Sequence, residues 1–182
     1  MPYLFTPELD FPLTNYKVNS YKFGEECTYD GVYWGIHLGE DINVTAGTKV
    51  KSIGRGKVVY SRLHKGSKEK PNWGNIVIIA HKNPKTKKVF YSLYAHLKSR
   101  KVKKSDKVDC GKIIGVIGAK NTSKNGWWKD AHLHLGIYTG PNEKKVPPGY
   151  YTKSANRTKL SDWQNPSDFV KNYASVVDKN KN

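Results

Sequence analysis

Ala131-His132-Leu133-His134-Leu135-Gly136 is the stretch whose reading decides this chain. In a β-strand, residues two apart point to the same face. His132 and His134 therefore stand side by side on one surface, while Leu133 and Leu135 face the other. Two imidazoles held on a rigid strand suit a metal site, and the leucines beneath them suit a core. Working outward, His37-Leu38-Gly39-Glu40-Asp41 lies far upstream, and Tyr94-Ala95-His96-Leu97 lies between the two. Each His-bearing motif adjoins strand-like sequence, so a site assembled from several strands is expected.

The surrounding pattern predicts a mainly β protein. Residues 48–53 and 57–63 are β-rich runs joined by Gly54-Arg55-Gly56, which reads as a hairpin. Residues 75–81 are nearly all apolar and read as a central strand. Residues 88–95 follow a turn-rich connection and should pair with that strand. Residues 101–118 read as two short strands around Asp109-Cys110-Gly111, and residues 119–130 as a loop rich in Asn, Gly and Lys. After the strand at 132–138 comes a long polar connection, then a short helix opening at Asn165-Pro166. The expected organisation is an irregular lead-in at 1–30, one domain at 31–177 and a frayed tail at 178–182.

The length of 182 residues favours a single domain with a sizeable core. No apolar run approaches the ~20 residues of a membrane span. Thirty-two Lys and Arg against 15 Asp and Glu give a net charge of +17, a field that attracts polyanions. Nucleic acid, anionic membrane surfaces and acidic wall polymers all qualify, and charge alone does not choose among them. Residues 98–107 carry six basic residues but no interleaved aromatic platforms, which argues against a specific nucleic-acid stripe. Cys27 and Cys110 form no Cys-x-x-Cys pair, and one disulfide or two free thiols both remain open. The N-terminus lacks the basic start and apolar core of a signal peptide. A trimmed signal, another route of export and an intracellular protein are the alternatives.

Catalytic zinc takes three protein ligands and keeps a fourth position for water. His37, Asp41 and one or both of His132 and His134 offer suitable donors. His37 and Asp41 are four apart, but Gly39 argues against a helix. A strand with a bend at Gly39 would aim both inward instead.

The order His-x-x-x-Asp, Tyr-x-His-Leu, His-x-His resembles the lysostaphin/LytM-type zinc metallopeptidases, which cut peptide bonds in bacterial peptidoglycan. The match continues in Gly47-Thr48-Lys49-Val50 with Gly56-Lys57-Val58, in residues 102–118 and in Asn165-Pro166 to Phe169. It covers roughly residues 30 to 140 and the last helix. The resemblance implies an open antiparallel β-sheet roll of barrel-sandwich type that forms a groove, with a short C-terminal helix. It makes His37, Asp41 and His134 the Zn2+ ligands and His96 and His132 the catalytic histidines beside the metal. The implied reaction is hydrolysis of a peptidoglycan cross-link or stem peptide by a metal-activated water. A monomer acting outside the cytoplasm, or a phage-encoded lysin, is implied, with anionic wall polymers as secondary partners.

Two departures bear on substrate. The loop before His-x-His is longer than the family's and lacks its closing Gly-Pro, and Gly136 stands where the family often has Glu. Trp127 and Trp128 in that loop are candidates for contact with a peptide or sugar, with packing under the loop as the alternative. Tyr33 is the nearest candidate for the tyrosine that assists the family's chemistry. His64 and His81 match no motif and read as structural or surface residues. The rival readings are a non-catalytic regulator of the same fold and a basic nucleic-acid-binding β domain. The second explains the charge but not the order of His and Asp.

Overall fold

The apolar run in the middle of the sequence becomes the strand buried on both faces, and the rest of the fold is arranged around it. The computed structural model describes residues 3–141, 146–152 and 158–177, with side chains through Tyr173. The tail expected at 178–182 lies outside the described residues. In chain order the strands are β1 (Glu26–Tyr29), β2 (Val32–His37), β3 (Glu40–Asn43), β4 (Lys49–Lys51), β5 (Gly56–His64) and β6 (Gly74–Lys82). They continue as β7 (Val89–Arg100), β8 (Lys107–Val108), β9 (Ile113–Ile117), β10 (His132–Tyr138), β11 (Tyr150–Tyr151) and β12 (Trp163–Gln164). One helix, α1 (Pro166–Val177), closes the described chain. Its first residue is Pro166, whose fixed φ and missing N–H suit that position.

The main sheet runs β12-β10-β7-β6-β5-β8, with β3 following β12 along the same edge of β10 and β9 pairing both β7 and β4. Every ladder is antiparallel, and a smaller sheet, β1-β2-β11, stands beside it. This is the open, mainly β architecture expected. Alternation along each strand divides the apolar residues between two faces. Leu133, Leu135 and Ile137 join Val77, Ile79 and Tyr94 in one core, covered by Val170 and Tyr173 of α1. Tyr138, Ile76, Ile78, Leu93 and Trp163 form the second core on the opposite face. β6 feeds both cores, which is why its sequence shows no polar alternation.

One expectation needs correction. Residues 48–53 and 57–63 do not form a hairpin: β4 pairs β9, while β5 pairs β6 and β8. The Gly54-Arg55-Gly56 link crosses the sheet edge instead of doubling back. Gly54 is bridged to Leu9, and an added Cβ on Gly56 would lie 2.6 Å from the Ala80 carbonyl. The glycines serve close approach there, not a two-residue turn. The segment at 3–30 is irregular up to β1 and packs against the domain. Leu13 is buried in the first core, Phe5 bridges Lys82, and β1 already lies within the segment. Tyr16 donates its hydroxyl to the buried Glu40 at 2.6 Å, and the same Glu40 oxygen accepts from the Ser167 N–H and hydroxyl at 3.1 and 2.8 Å. One carboxylate thus ties the N-terminal segment to the start of α1.

Candidate metal centre

β10 carries His132 and His134 on one face, as the two-residue period requires. β3 lies antiparallel beside it, with His134 opposite Asp41 and His132 opposite Asn43. β2 ends at His37, and the chain bends through Leu38-Gly39 before β3 begins. The bend works because residue 39 has no side chain. A Cβ there would lie 2.5 Å from the Leu135 carbonyl and 2.7 Å from the His134 ring. His37 and Asp41 are thereby delivered to the same point as His134.

The three donors converge closely. His134 Nδ1 lies 2.9 Å from Asp41 Oδ1 and 3.0 Å from His37 Nε2, and His37 Nε2 lies 3.4 Å from Asp41 Oδ1. Tetrahedral zinc with bonds of about 2.0–2.1 Å sets its donor atoms about 3.3 Å apart. The observed triangle is such a face contracted by a few tenths of an ångström. The protons agree. His37 Nδ1–H donates to the Lys22 carbonyl at 3.2 Å, so Nε2 presents its lone pair to the centre. A single proton on His134 Nδ1 can serve only one of its two close neighbours. With that proton on Nε2, which is buried and unpartnered among the described residues, three lone-pair donors face one another. A cation among them removes that repulsion, and the donor set of two imidazoles and one carboxylate suits zinc.

Burial alone would raise the Asp41 carboxyl. The charge and hydrogen bonds that His37, His132 and His134 supply when protonated outweigh it and hold the group well below the usual range. Burial lowers His134 despite its bond to Asp41.

His96 reaches the centre through a bulge. The β6–β7 register slips across it, between Tyr94 and Leu97, the β7–β9 register slips just beyond it, between Leu97 and Ser99, and its φ is 63°. Such a bulge re-aims a side chain, and a positive φ in a non-glycine residue is sustained only where the surroundings hold it. The His96 ring lies 4.5 Å from that of His132, and burial pushes its imidazole well below its ordinary value. His132 Nε2 lies 3.9 Å from Asp41 Oδ2. The five residues singled out in the sequence are therefore adjacent in space.

Asp41 and His132 open onto a cleft of about 230 Å³. Its aromatic wall is Tyr29, Trp34, Trp128 and Tyr150, with successive ring centroids 5.3–5.5 Å apart. Trp128 is in that wall; Trp127 and Tyr33 are not part of the lining. Tyr33 is 54% exposed, and its neighbour Trp34 takes the inward position. Gly35, at φ 122°, breaks the alternation so that Trp34 and His37 both meet Tyr150, at 5.4 and 5.6 Å. Sequence reasoning passed over Trp34, Tyr150, Tyr21 and Trp73, whose ring stacks on His96 at 6.0 Å. The density of aromatics at residues 29–34 was a usable signal for Trp34; nothing local marks Tyr150. Cys27, in the cleft wall, and Cys110 are both free thiols.

The family profile described as peptidase family M23 matches residues 35–148, a span that holds all five residues of the centre. This chain belongs to peptidase family M23. Over 101 residues the M23 chain is 38% identical to the peptidoglycan DD-endopeptidase ShyA of Vibrio cholerae, a stretch that is 56% of this chain and 20% of that protein. It is 30% identical over 157 residues to lysostaphin of Staphylococcus staphylolyticus, covering 85% of this chain and 29% of that protein. The catalytic domain of the antimicrobial peptidase lysostaphin from Staphylococcus simulans superposes with a TM-score of 0.55 at 27% identity, covering 84% of this chain and 90% of that one. The M23 chain spans less than a third of the length of either curated relative.

Proposed function

We propose that this chain is a zinc endopeptidase that hydrolyses peptide bonds in bacterial peptidoglycan. The observation that carries the reading is the triangle of His37 Nε2, Asp41 Oδ1 and His134 Nδ1 with two further imidazoles beside it. Membership of family M23 and likeness to peptidoglycan endopeptidases support it. In this reading His37, Asp41 and His134 hold the metal. Zinc held there would supply Lewis-acid chemistry, polarising a substrate carbonyl and lowering the pKa of a bound water toward neutral.

The remaining work falls to the protein's own groups. His96 and His132 each donate Nδ1–H to a backbone carbonyl, of Asn125 at 2.9 Å and of Asp130 at 3.0 Å. Each ring so held keeps a lone pair on Nε2, ready to accept a proton and return it to a leaving amine. The aromatic wall of the cleft supplies apolar area for the substrate, with Trp128 its member from the loop singled out in the sequence. The +17 charge would concentrate the enzyme on a polyanionic envelope, with anionic wall polymers as secondary partners. The reading puts the reaction outside the cytoplasm. Among the described residues, no helix is long and apolar enough to cross a membrane.

The test is mass spectrometry of purified peptidoglycan incubated with the zinc-loaded protein, with chelator and with zinc restored. New peptide fragments that vanish with chelator and return with zinc are expected, and their masses name the bond. His96→Gln and His132→Gln should keep one zinc per chain and lose roughly 10²–10⁴-fold in rate. An unchanged digest from zinc-loaded protein, across walls of several cross-link types, would make the chain a wall-binding member without catalysis.

A further inference from the structure

The loop that departs from the family pattern holds both non-ligand histidines. Asn125 in it is fully buried. Its Oδ1 accepts the Trp127 N–H at 2.9 Å and the Trp128 N–H at 3.2 Å. Its Nδ2 faces the carbonyls of Trp128 and Asp130 at 3.5 and 3.4 Å. The Asn125 carbonyl accepts His96 Nδ1–H, and the Asp130 carbonyl accepts His132 Nδ1–H. A single side chain therefore closes the turn whose two carbonyls grip the two rings.

The turn is itself clamped from below. The Asn72 N–H donates to the Gly126 carbonyl at 2.9 Å, the Asn75 N–H to the Lys124 carbonyl at 2.8 Å, and Trp128 Nε1–H to the Asn72 carbonyl at 2.8 Å. The backbones approach so closely that a Cβ on Gly126 would lie 1.9 Å from the Asn72 carbonyl oxygen. A loop seated this firmly transmits the Asn125 geometry to the rings instead of absorbing it.

We propose that Asn125 is the positioning residue for His96 and His132, fixing both as the Nδ1–H tautomer with Nε2 free toward the centre. The tautomer of a histidine is set by the partner of its other nitrogen, and here both partners belong to one turn. The catalytic consequence rests on the reading given under Proposed function; the tautomer consequence does not.

The experiment uses zinc-loaded protein labelled with ¹⁵N-histidine. Long-range ¹H–¹⁵N correlations report which ring nitrogen carries the proton, and His96→Gln and His132→Gln assign the signals. Both rings of the unmodified protein are expected to carry it on Nδ1; a proton on Nε2 of either ring overturns the proposal without any variant. In Asn125→Ala both rings should shift toward a mixture of tautomers. There, kcat should fall roughly tenfold or more with KM within about twofold, since misdirected groups lose rate before binding. Zinc content should stay at one per chain. Asn125→Asp keeps the acceptor and removes the donor, and it serves if the alanine variant does not fold. A folded variant with both tautomers and kcat unchanged overturns the assignment, as does a rate loss matched by loss of zinc. If the unmodified enzyme cleaves nothing, the reaction is misread, and the tautomer comparison still decides the role of Asn125.

Discussion

His81 ties the acid stability of the fold to one buried ring. Its Nδ1–H donates to the Arg55 carbonyl at 2.9 Å, its Nε2 accepts the Ser92 hydroxyl at 2.7 Å, and its ring stacks on Phe90 at 4.9 Å. Burial pushes the imidazole from 6.5 down to about 4, only partly opposed by the bond to Arg55. Between those values the unfolded chain takes up a proton that the folded chain refuses. The stability is therefore fully present above about pH 6.5 and is lost as the pH falls toward 4. At about 1.36 kcal/mol per pH unit, the whole window is worth about 3 kcal/mol, with about 2 kcal/mol gone by pH 5. For a chain of this length that is a drop in Tm of about 4–8 °C at pH 5. His81→Gln keeps a donor and an acceptor but cannot titrate. It should cost about 1–3 kcal/mol at pH 7.5 through imperfect replacement of the two hydrogen bonds. That deficit should shrink by about 2 kcal/mol at pH 5. Urea unfolding of both proteins from pH 4.5 to 7.5, with chelator throughout to remove metal linkage, measures the gap. Contributions from groups other than residue 81 are common to both proteins and cancel. Parallel stability curves, with the gap constant across the range, would refute the assignment of the acid slope to His81.

Three further outcomes can be checked on the same preparations. Glu40→Ala strands the Tyr16 hydroxyl and the Ser167 donors that now share one oxygen. It should cost about 2–4 kcal/mol in urea unfolding, because three half-buried donors lose the charged acceptor they share; a loss under about 0.5 kcal/mol would show that the N-terminal segment is held elsewhere. Gly74→Ala places a Cβ 2.3 Å from the Lys124 carbonyl oxygen at a residue with φ 63°, so a loss above about 2 kcal/mol with faster proteolysis of residues 118–130 is expected. Two thiols should titrate in denatured, unreduced protein; in the native state Cys110 should alkylate before Cys27, which is 2% exposed and whose thiol burial pushes up to about 12.

The sequence by itself determined the local terms. A two-residue period places His132 and His134 on one face and Leu133 and Leu135 on the other whatever packs around them. The glycine between His37 and Asp41 allowed a bend to be read there, and the bend is where the two residues meet. An unbroken apolar run had to be covered on both faces, so β6 could be placed at the centre of the sheet before its neighbours were known. The candidate metal centre was legible for this reason: its donor types stand in short motifs, whose order resembles that of a known family.

Only the tertiary structure decided the partners. Gly54-Arg55-Gly56 has the composition of a hairpin, but the pairing of β4 with β9 is set by registers formed across distant segments. His96 is aimed by a bulge whose cause lies in the strands on either side of it. Lys22, Asn125 and Asp130 orient histidines through backbone carbonyls, which every residue possesses and no side-chain pattern announces. Tyr150 meets His37 only because β11 happens to lie on β2. Side-chain chemistry and periodicity are written locally, while register and carbonyl placement are properties of the whole packed chain, and these are what aim the histidines and shape the cleft.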